Sequence, residues 1–304
     1  MASARRLVLN ACRRGPTGSA SLSARRLSLS TATPLLTPEE TWNVIRMEAE
    51  ASLQTPAFSR FGMDSFLQIQ VLKHETMHAS LAHLIGAKFA ANSDSDDYTG
   101  KGGSAVDFPG ALTAAMEADP TIMEATAADL QRFLVVDPAC DGLLGVYLYY
   151  KGIQAIVNAR VGHFFWTEAG GHGKQIARLL QSEAADVFGV DIHPGATLGR
   201  GITIDHATGV TIGETGTIGD NVYIMHDVTL GASGTSSEHD RHPKIGNDVF
   251  LGAKCTVLGN IDVGDGAVVA AQALVNKPVP PGYTAVGMPA KFLPPKGFDG
   301  SVAK

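Results

Sequence analysis

One repeat constrains the fold more than any other feature of the sequence. From residue 192 to residue 275 an aliphatic side chain returns every six residues, apart from a two-residue slip after Ile204 and an interruption at 231–244. The repeated positions are Ile192, Leu198, Ile204, Ile212, Ile218, Ile224, Leu230, Ile245, Leu251, Val257, Val263, Val269 and Val275. A period of six predicts a parallel β-helix, in which three short strands make one coil of about eighteen residues. Neither an amphipathic helix nor an alternating strand sustains this period.

The residues before the repeat have a helical pattern. Thr37-Pro38-Glu39-Glu40 is typical of a capping box with proline at the first helical position, which predicts a helix over 39–52. Further helices are predicted over 63–91, 104–118, 121–135, 141–168 and 173–188, with a surface loop at 92–103. The predicted fold class is α + β. It comprises a helical domain at 39–189, a left-handed parallel β-helix at 190–293 and a flexible tail at 294–304.

Residues 1–38 differ in composition from the rest of the chain. They contain six arginines and six serines, and the first acidic residue of the chain is Glu39. An Arg-rich, Ser-rich and acid-free segment is typical of an organellar transit peptide, whereas the apolar core of a secretory signal is missing. The composition does not distinguish a mitochondrial from a plastid presequence.

The charge and cysteine content exclude several classes of function. Without the presequence, 18 basic residues remain against 30 acidic ones, so the formal net charge moves from −6 to −12. So acidic a body is poorly suited to binding nucleic acid or an anionic membrane surface, and no stretch is long enough to predict a transmembrane helix. Cys140 and Cys255 remain, too few for a disulfide framework or a cysteine-rich zinc site.

The long interruption of the repeat predicts a binding arm. Small residues follow Leu230, and the interruption ends in the charged group Asp240-Arg241-His242-Pro243-Lys244. Insertions in a solenoid tend to lie on its binding face, and a guanidinium matches the geometry of a carboxylate. Arg241 and His242 are therefore candidates for recognising a carboxylate substrate.

Two Asp–His pairs lie beside the slip in the repeat. Asp191-Ile192-His193-Pro194 opens the repeat, and Ile204-Asp205-His206 forms its third rung. Asp191 and His206 are fifteen residues apart, three short of a full coil, so the two side chains can meet near one corner. A histidine held by a carboxylate is the usual arrangement of a general base near neutral pH. Corrected for the slip, His226 is predicted to stack on His206 from the adjacent coil.

Several motifs in order resemble serine O-acetyltransferase, an enzyme of cysteine biosynthesis. They are Asp-Ile-His-Pro at 191, Gly-Arg-Gly-Ile at 199, Asp-His-Ala-Thr-Gly at 205, Gly-Glu-Thr at 213, Asp-Arg-His-Pro-Lys-Ile at 240 and Leu-Gly-Asn-Ile at 258. The similarity extends into the helical domain at 136–139 and at 149–163, and spans roughly residues 135–293.

The resemblance implies a role for each matching residue. His206 would be the general base on the serine hydroxyl and Asp191 would orient it, with direct attack on the thioester of acetyl-CoA and no acyl-enzyme. The residues it implies for serine binding are Asp137 and Asp205 at the ammonium group and Arg241 and His242 at the carboxylate and reacting side. It implies that the small residues Gly231, Ala232, Gly252 and Ala253 let the extended arm of CoA approach the backbone, and that Lys291 lies near the CoA phosphates. No metal or bound cofactor is implied, and acetyl-CoA is a co-substrate.

The resemblance also implies partners. Family members form a trimer with sites between neighbouring β-helices, and the helical domains join two trimers. Their partner enzyme is O-acetylserine sulfhydrylase, which binds the C-terminal isoleucine of family members. The present tail ends Val302-Ala303-Lys304, which disfavours a stable complex.

The binding arm also departs from the family pattern, because residues 231–239 read Gly-Ala-Ser-Gly-Thr-Ser-Ser-Glu-His.

Three other functions compete with this interpretation. A carbonic-anhydrase-like β-helix would use His206 and His226 as zinc ligands, but a zinc site needs a third protein ligand that the sequence does not indicate. A related acyltransferase with another acceptor, such as homoserine or a sugar, shares the repeat; sugar acetyltransferases of this class lack the Asp137 motif. A catalytically silent subunit would not need Asp191, His206 and His242.

Overall fold

The computed structural model describes residues 35–54, 61–92, 106–167, 170–234 and 238–297. Its packing divides the chain into two compact units, with the boundary between Val161 and Gly162. Most of the predicted presequence, the predicted loop beyond Asn92 and the tail beyond Gly297 lie outside the described residues. No helix in the described ranges is long and apolar enough to cross a membrane.

The described part of the chain begins with helices and ends with short strands. The helices are α1 Pro38–Leu53, α2 Met63–Leu67, α3 Met77–Asn92, α4 Phe108–Ala118, α5 Thr121–Val136, α6 Leu143–Tyr149, α7 Lys151–Thr167 and α8 Gly170–Phe188, with a π-helical turn at Gln68–Leu72. The strands are β1 Val190–Ile192, β2 Thr197–Leu198, β3 Thr203–Ile204, β4 Val210–Ile212, β5 Thr217–Ile218, β6 Tyr223–Ile224, β7 Thr229–Gly231, β8 Lys244–Ile245, β9 Phe250–Leu251, β10 Thr256–Leu258, β11 Asp262–Val263, β12 Val268–Val269, β13 Leu274–Val275, β14 Thr284–Val286 and β15 Lys291–Leu293.

The capping box at the first helix is confirmed. The Thr37 hydroxyl accepts a hydrogen bond from the Glu40 amide, and the Glu40 carboxylate accepts one from the Thr37 amide. Both bonds satisfy amide groups that a helix start leaves without an intrahelical acceptor. Helix α1 then buries Trp42, Ile45 and Ala49 in the first unit.

Two predicted helices are interrupted, which corrects the sequence analysis. The predicted helix over 63–91 breaks between Leu72 and Met77, where Trp42 Nε1 donates to the Glu75 carbonyl at 3.0 Å. The predicted helix over 141–168 begins at Leu143 and breaks at Tyr150, whose ψ of 99° is extended. The Gln154 amide donates to the carbonyls of Tyr147 and Leu148. Buried side chains therefore hydrogen-bond to the carbonyls that these breaks leave free.

The predicted parallel β-helix is confirmed. All thirteen aliphatic positions of the repeat lie on strands, and like positions pair between coils: Ile192 with Ile212, Leu198 with Ile218, and Ile204 with Ile224. Every one of them is buried except Leu198, which is half-buried. The strands form three sheets: sheet A is β1-β4-β7-β10-β13, sheet B is β2-β5-β8-β11, and sheet C is β3-β6-β9-β12-β14-β15. Sheet C continues beyond the repeat through β14 and the antiparallel β15.

Three columns of turns join the sheets. The turns from sheet C to sheet A, at 205–209, 225–228, 252–255 and 270–273, are called the His206 corner. Those from sheet A to sheet B, at 193–196, 213–216 and 259–261, together with the described ends 232–234 and 238–243 of the arm, are called the His242 corner. At the third corner, from sheet B to sheet C, the carboxylate of Asp220 and the amide oxygen of Asn247 each accept a backbone N–H from the preceding coil. The polar residues of the third corner therefore have a structural role.

Helix α8 belongs to the same compact unit as the β-helix. It packs on β1 and buries Ala177, Leu180 and Ala184. The unit boundary thus lies within α7, upstream of the predicted domain boundary at 189/190. The second compact unit therefore begins at Gly162 and includes the end of α7, all of α8 and the β-helix.

Candidate active site

The two-residue slip in the repeat is the turn that carries His206. Each other turn of the His206 corner has one non-glycine residue with positive φ, namely Asp227, Lys254 or Gln272. The longer turn at 205–209 has two such residues in succession, His206 at 60° and Ala207 at 62°, and Gly209 follows at 81°. A non-glycine residue in this region costs on the order of 1–3 kcal/mol and is concentrated at functional sites. The strain marks this turn as a candidate site.

His206 lies among polar and aromatic groups of the same corner. Its Nε2 is 3.7 Å from Asp205 Oδ2, and its side chain is 71% exposed whereas that of Asp205 is 19% exposed. Tyr223 donates its hydroxyl to the same Asp205 oxygen at 2.9 Å. The ring of His226 meets that of His206 edge to face, with the centroids 5.8 Å apart, so the predicted stack is confirmed. An accessible imidazole therefore lies beside a carboxylate whose position is fixed.

Thr215 holds the end of the arm at the His242 corner. Its hydroxyl accepts hydrogen bonds from the backbone amides of Arg241 and His242, at 3.1 and 3.2 Å. The same hydroxyl lies 2.9 Å from His242 Nδ1, and the Thr215 amide donates to that nitrogen at 3.2 Å. One threonine of the preceding coil thus fixes both the backbone and the ring of the predicted binding residues.

These contacts determine the tautomer of His242. Because Nδ1 accepts the Thr215 N–H, the proton of the neutral ring is on Nε2. Burial lowers the pKa of His242 below its usual range, and the positive charges of Arg241 and Lys244 lower it further. A Cβ at Gly213 would overlap this ring. His242 is therefore a neutral donor held in a space that only glycine at 213 leaves open.

Charged residues fix the end of the arm next to the histidine. Lys244 donates to Asp240 and to the Thr215 carbonyl, both at 2.5 Å, and Asn260 donates to Asp240 at 3.2 Å. The hydrogen bond from Lys244 lowers the pKa of Asp240. Arg241 is exposed between these anchored residues. Its guanidinium is thus presented to solvent by a constrained backbone.

His193 lies at the same corner one coil earlier, beside an aromatic and cationic surface. The ring of Trp166 meets His193 edge to face at 4.9 Å, and the side chains of Lys174 and Arg178 lie over Trp166. The Gly195 amide donates to His193 Nδ1 at 3.0 Å. Burial lowers the pKa of His193, with Glu214 and Asp191 acting in the opposite direction.

Asp191 is not joined to His206 within one copy of the chain. It lies on β1 in sheet A, and its Oδ1 accepts a hydrogen bond from Gln181 of α8 at 2.6 Å. No hydrogen bond or ion pair among the described side chains links Asp191 with His206. Their predicted pairing stays a prediction. Within this copy, Asp191 lies near His193 of the His242 corner, and the turn of His206 is at a different corner.

Asp137 belongs to the first compact unit. It ends α5, and its two carboxylate oxygens accept hydrogen bonds from the Ala139 amide at 2.8 Å and the Tyr150 hydroxyl at 3.3 Å. Burial raises the pKa of Tyr150 to about 12, and the charge of Asp137 contributes to that rise. The predicted role of Asp137 at the serine ammonium stays a prediction.

The residues predicted to bind CoA lie on different parts of the β-helix. Ala253 lies in the His206 corner, Gly231 and Ala232 lie where the arm begins at the His242 corner, and Lys291 is exposed on β15. Gly252 also has a packing reason, because a Cβ there would lie 2.5 Å from the Ala271 amide nitrogen of the next coil. The fold itself therefore requires that glycine.

Sequence reasoning missed three residues that contact the predicted ones. Thr215 lies in the Gly-Glu-Thr motif, which carries only the family resemblance, and Tyr223 occupies an ordinary strand position. Gln181 lies in an amphipathic helix with no motif. Only the β-helix register, which places Tyr223 one coil after Thr203, could have indicated that it lies close to Asp205.

The zinc interpretation gains no third ligand. Among the residues that the structure describes, no group of three or more histidine, cysteine, aspartate or glutamate side chains could hold a metal ion. His206 and His226 therefore form a pair rather than part of a recognisable zinc site.

Two family models match the chain. The model described as serine acetyltransferase, N-terminal, matches residues 41–157, within the helical part. The model described as bacterial transferase hexapeptide (six repeats) matches residues 242–277, within the β-helix. The two matches follow the order of the observed elements.

Full-length relatives extend the similarity across both units. The chain is 38% identical to the serine acetyltransferase of Salmonella typhimurium over 86% of its own length and 89% of the relative's. It is 42% identical to probable serine acetyltransferase 1 of Oryza sativa, covering 86% and 81% of the two chains. The structure of soybean serine acetyltransferase complexed with serine matches with a TM-score of 0.74 and 39% identity, over 84% of this chain and 98% of that one. Because this similarity covers most of each protein and contains the repeat, the arm and the helical region, the chain belongs to the serine acetyltransferase family.

Proposed function

We propose that the protein is a serine O-acetyltransferase, which transfers the acetyl group of acetyl-CoA to the hydroxyl of L-serine to give O-acetylserine for cysteine biosynthesis. The observation that carries the proposal is the strained turn of His206, where an accessible imidazole lies beside the anchored Asp205. The serine-bound soybean relative supports serine as the acceptor.

The residues of the chain suggest the course of the reaction. His206 takes the proton from the serine hydroxyl, and the oxygen attacks the carbonyl carbon of the thioester. The tetrahedral intermediate collapses by breaking the C–S bond, and the imidazolium of His206 returns its proton to the departing thiolate. Asp137 and Asp205 offer carboxylates to the serine ammonium, whereas Arg241 and the Nε2–H of His242 offer donors to its carboxylate side.

A complete site requires two copies of the chain in this proposal. His206 and Asp205 are at one corner of the β-helix, and Arg241, His242 and Asp191 are grouped around sheet A and a different corner. In a cyclic trimer the His206 corner of one copy faces the His242 corner of the next, which brings both sets together. The same groove offers the pantetheine arm a path past Ala253 and Gly231.

Comparison of acceptors tests the proposed reaction. We expect the chain from Thr31 onward to release CoA thiol from acetyl-CoA with L-serine, and not with homoserine or a hexose. His206→Ala should abolish that release. If homoserine gave as much CoA thiol as L-serine, the acceptor would have to be reassigned. If none of the three acceptors gave thiol release, the proposed reaction would be rejected.

We further propose that residues 1–38 direct the protein to a mitochondrion or plastid. The support is compositional, namely six arginines with no acidic residue, and the relatives come from both plants and bacteria. A fluorescent protein fused after residue 38 should enter one of these organelles. A uniformly cytosolic signal would reject the proposal.

A further inference from the structure

One strong contact at Asp191 has no part in the reaction as proposed. Gln181 Nε2 donates to Asp191 Oδ1 at 2.6 Å, a short distance for an amide donor. The contact joins α8 to the outer face of β1, and both side chains are half-buried. It is therefore partly shielded from solvent, which makes a hydrogen bond to a carboxylate more effective.

The chemistry of the two groups fixes the orientation of the glutamine. An ionised carboxylate only accepts hydrogen bonds, so the atom of Gln181 that faces Asp191 is the NH₂ group. Among the described residues, Asp191 Oδ1 receives this bond and Oδ2 has no protein partner. The aspartate is thus held by one oxygen and offers the other to a further donor.

Helix α8 gives Gln181 a rigid base. Leu180 next to it and Ala177 and Ala184 on either side are buried, at 1%, 0% and 4% exposure, and the helix packs on β1. In the turn that follows β1, the Pro194 carbonyl lies 2.8 Å from the His163 ring of α7, which holds that turn. The glutamine and the strand are therefore positioned by the same packed unit.

We infer that Gln181 is a positioning residue for catalysis, which fixes the carboxylate of Asp191 so that its free oxygen meets the ring of the catalytic histidine. The inference rests on the proposed function, in which the trimer brings Asp191 of one copy to His206 of the next, together with the orienting role that the resemblance implies for Asp191. The rate of the catalysed step falls steeply when the general base is no longer held in its orientation, because a misplacement of about 1 Å can lower that rate roughly 10²-fold. Gln181 therefore affects kcat without touching substrate.

Replacement by methionine tests the hydrogen bond at nearly constant volume. Gln181→Met should lower kcat about tenfold and leave the KM for serine and the melting temperature unchanged. The reason is that the substitution removes only the hydrogen bond that holds the Asp191 carboxylate. Gln175→Met, at an exposed position of the same helix, is the matched control and should leave kcat unchanged. A wild-type kcat in Gln181→Met would overturn the inference.

Replacement by glutamate adds a readout that a structural role would not change. Two carboxylates at this distance cannot both be ionised, and the neutral introduced carboxyl can still donate to Asp191. The kcat of Gln181→Glu relative to wild type should therefore rise several-fold as the pH falls from 8.5 to 6.5. A ratio that is independent of pH would contradict the inference.

A double-mutant cycle separates this inference from the proposed function. In the background of Asp191→Asn, Gln181→Met should lower kcat by less than twofold, because the carboxylate it positions is absent. If Asp191→Asn alone kept wild-type kcat, the proposed role of Asp191 would fail. If Asp191→Asn lowered kcat and Gln181→Met lowered it equally in both backgrounds, only the role of Gln181 would fail.

Discussion

At the scale of the residue, strain and anchoring distinguish the candidate site from the rest of the β-helix. His206 and Ala207 are consecutive residues with a left-handed backbone, whereas each other turn of the His206 corner has one such non-glycine residue. Its neighbour Asp205 is fixed by Tyr223, and His242 is fixed by Thr215. The carboxylate beside His206 and the ring of His242 therefore each have a partner that limits their motion.

Asparagine at position 206 tests the general base without disturbing the turn. Because asparagine tolerates positive φ, His206→Asn should keep the melting temperature of the wild type and lower kcat by about 10²–10⁴-fold. Steady-state kinetics and circular dichroism measure the two quantities. Asp248→Asn, at φ 56° in the third corner, is the control. A kcat within twofold of wild type would remove His206 from the role of base.

At the scale of the element, glycines determine which side chains the turns can hold. Gly213 begins a turn of the His242 corner and leaves the space that the His242 ring fills. The coil itself is stabilised by the aliphatic core, whose positions pair from coil to coil. Substitution in this turn should consequently affect function more than folding.

Gly213→Ala is expected to displace His242. The added Cβ would overlap the ring, and rotating the ring away breaks its contacts with Thr215. We expect serine KM to rise at least tenfold with a small loss of thermal stability, as measured by steady-state kinetics and calorimetry. Gly171→Ala, where a Cβ meets nothing within 4 Å, is the control. An unchanged KM would show that His242 does not contact serine.

The helical unit contains a pair of histidines that predicts a pH dependence of stability. The rings of His74 and His83 are 5.1 Å apart, and Lys73 Nζ lies 3.4 Å from His83 Nε2. Burial lowers the pKa of both histidines, and the charge of Lys73 lowers it further. The unfolded chain therefore binds more protons, so the free energy of unfolding falls as the pH drops below about 6.5.

Hydrogen exchange of α3 measures this effect within the full chain. Protection in α3 should decrease between pH 7.5 and 5.5 after correction for intrinsic exchange rates, and His83→Gln should reduce the decrease. His239→Gln, exposed at the other unit, should not alter it. Protection that is independent of pH in the wild type would contradict the prediction.

The repeat could be predicted from sequence because every sixth residue faces the core, so the aliphatic positions in the sequence correspond directly to the buried positions. The breaks at Leu72 and Tyr150 could not, because neither interrupts the apolar pattern. The first depends on Trp42, which is distant in sequence, and the second on Gln154 of the following helix, whose amide bonds to freed carbonyls. Within the site, the histidines and aspartates carried recognisable motifs. Gln181 did not, since one polar residue on an amphipathic helix has many positions that it could contact.

At the scale of the whole molecule, the proposed enzyme is an oligomer whose active sites each draw on two copies. The distribution of His206 and His242 over different corners of the β-helix is the structural basis of this proposal. It implies that variants defective at different corners can complement each other, because a mixed interface can combine two intact halves.

Mixed oligomers of His206→Ala and Asp191→Asn test the central proposal most directly. The two inactive variants, co-expressed with different affinity tags, are purified as mixed oligomers and assayed for CoA thiol release with L-serine. If each site takes His206 from one copy and Asp191 from the next, one of the three interfaces in every mixed trimer combines two intact residues, so about a third of the sites are intact. We expect about a third of wild-type kcat per chain in the purified mixed trimers. Activity no higher than that of either parent variant would contradict the proposed site.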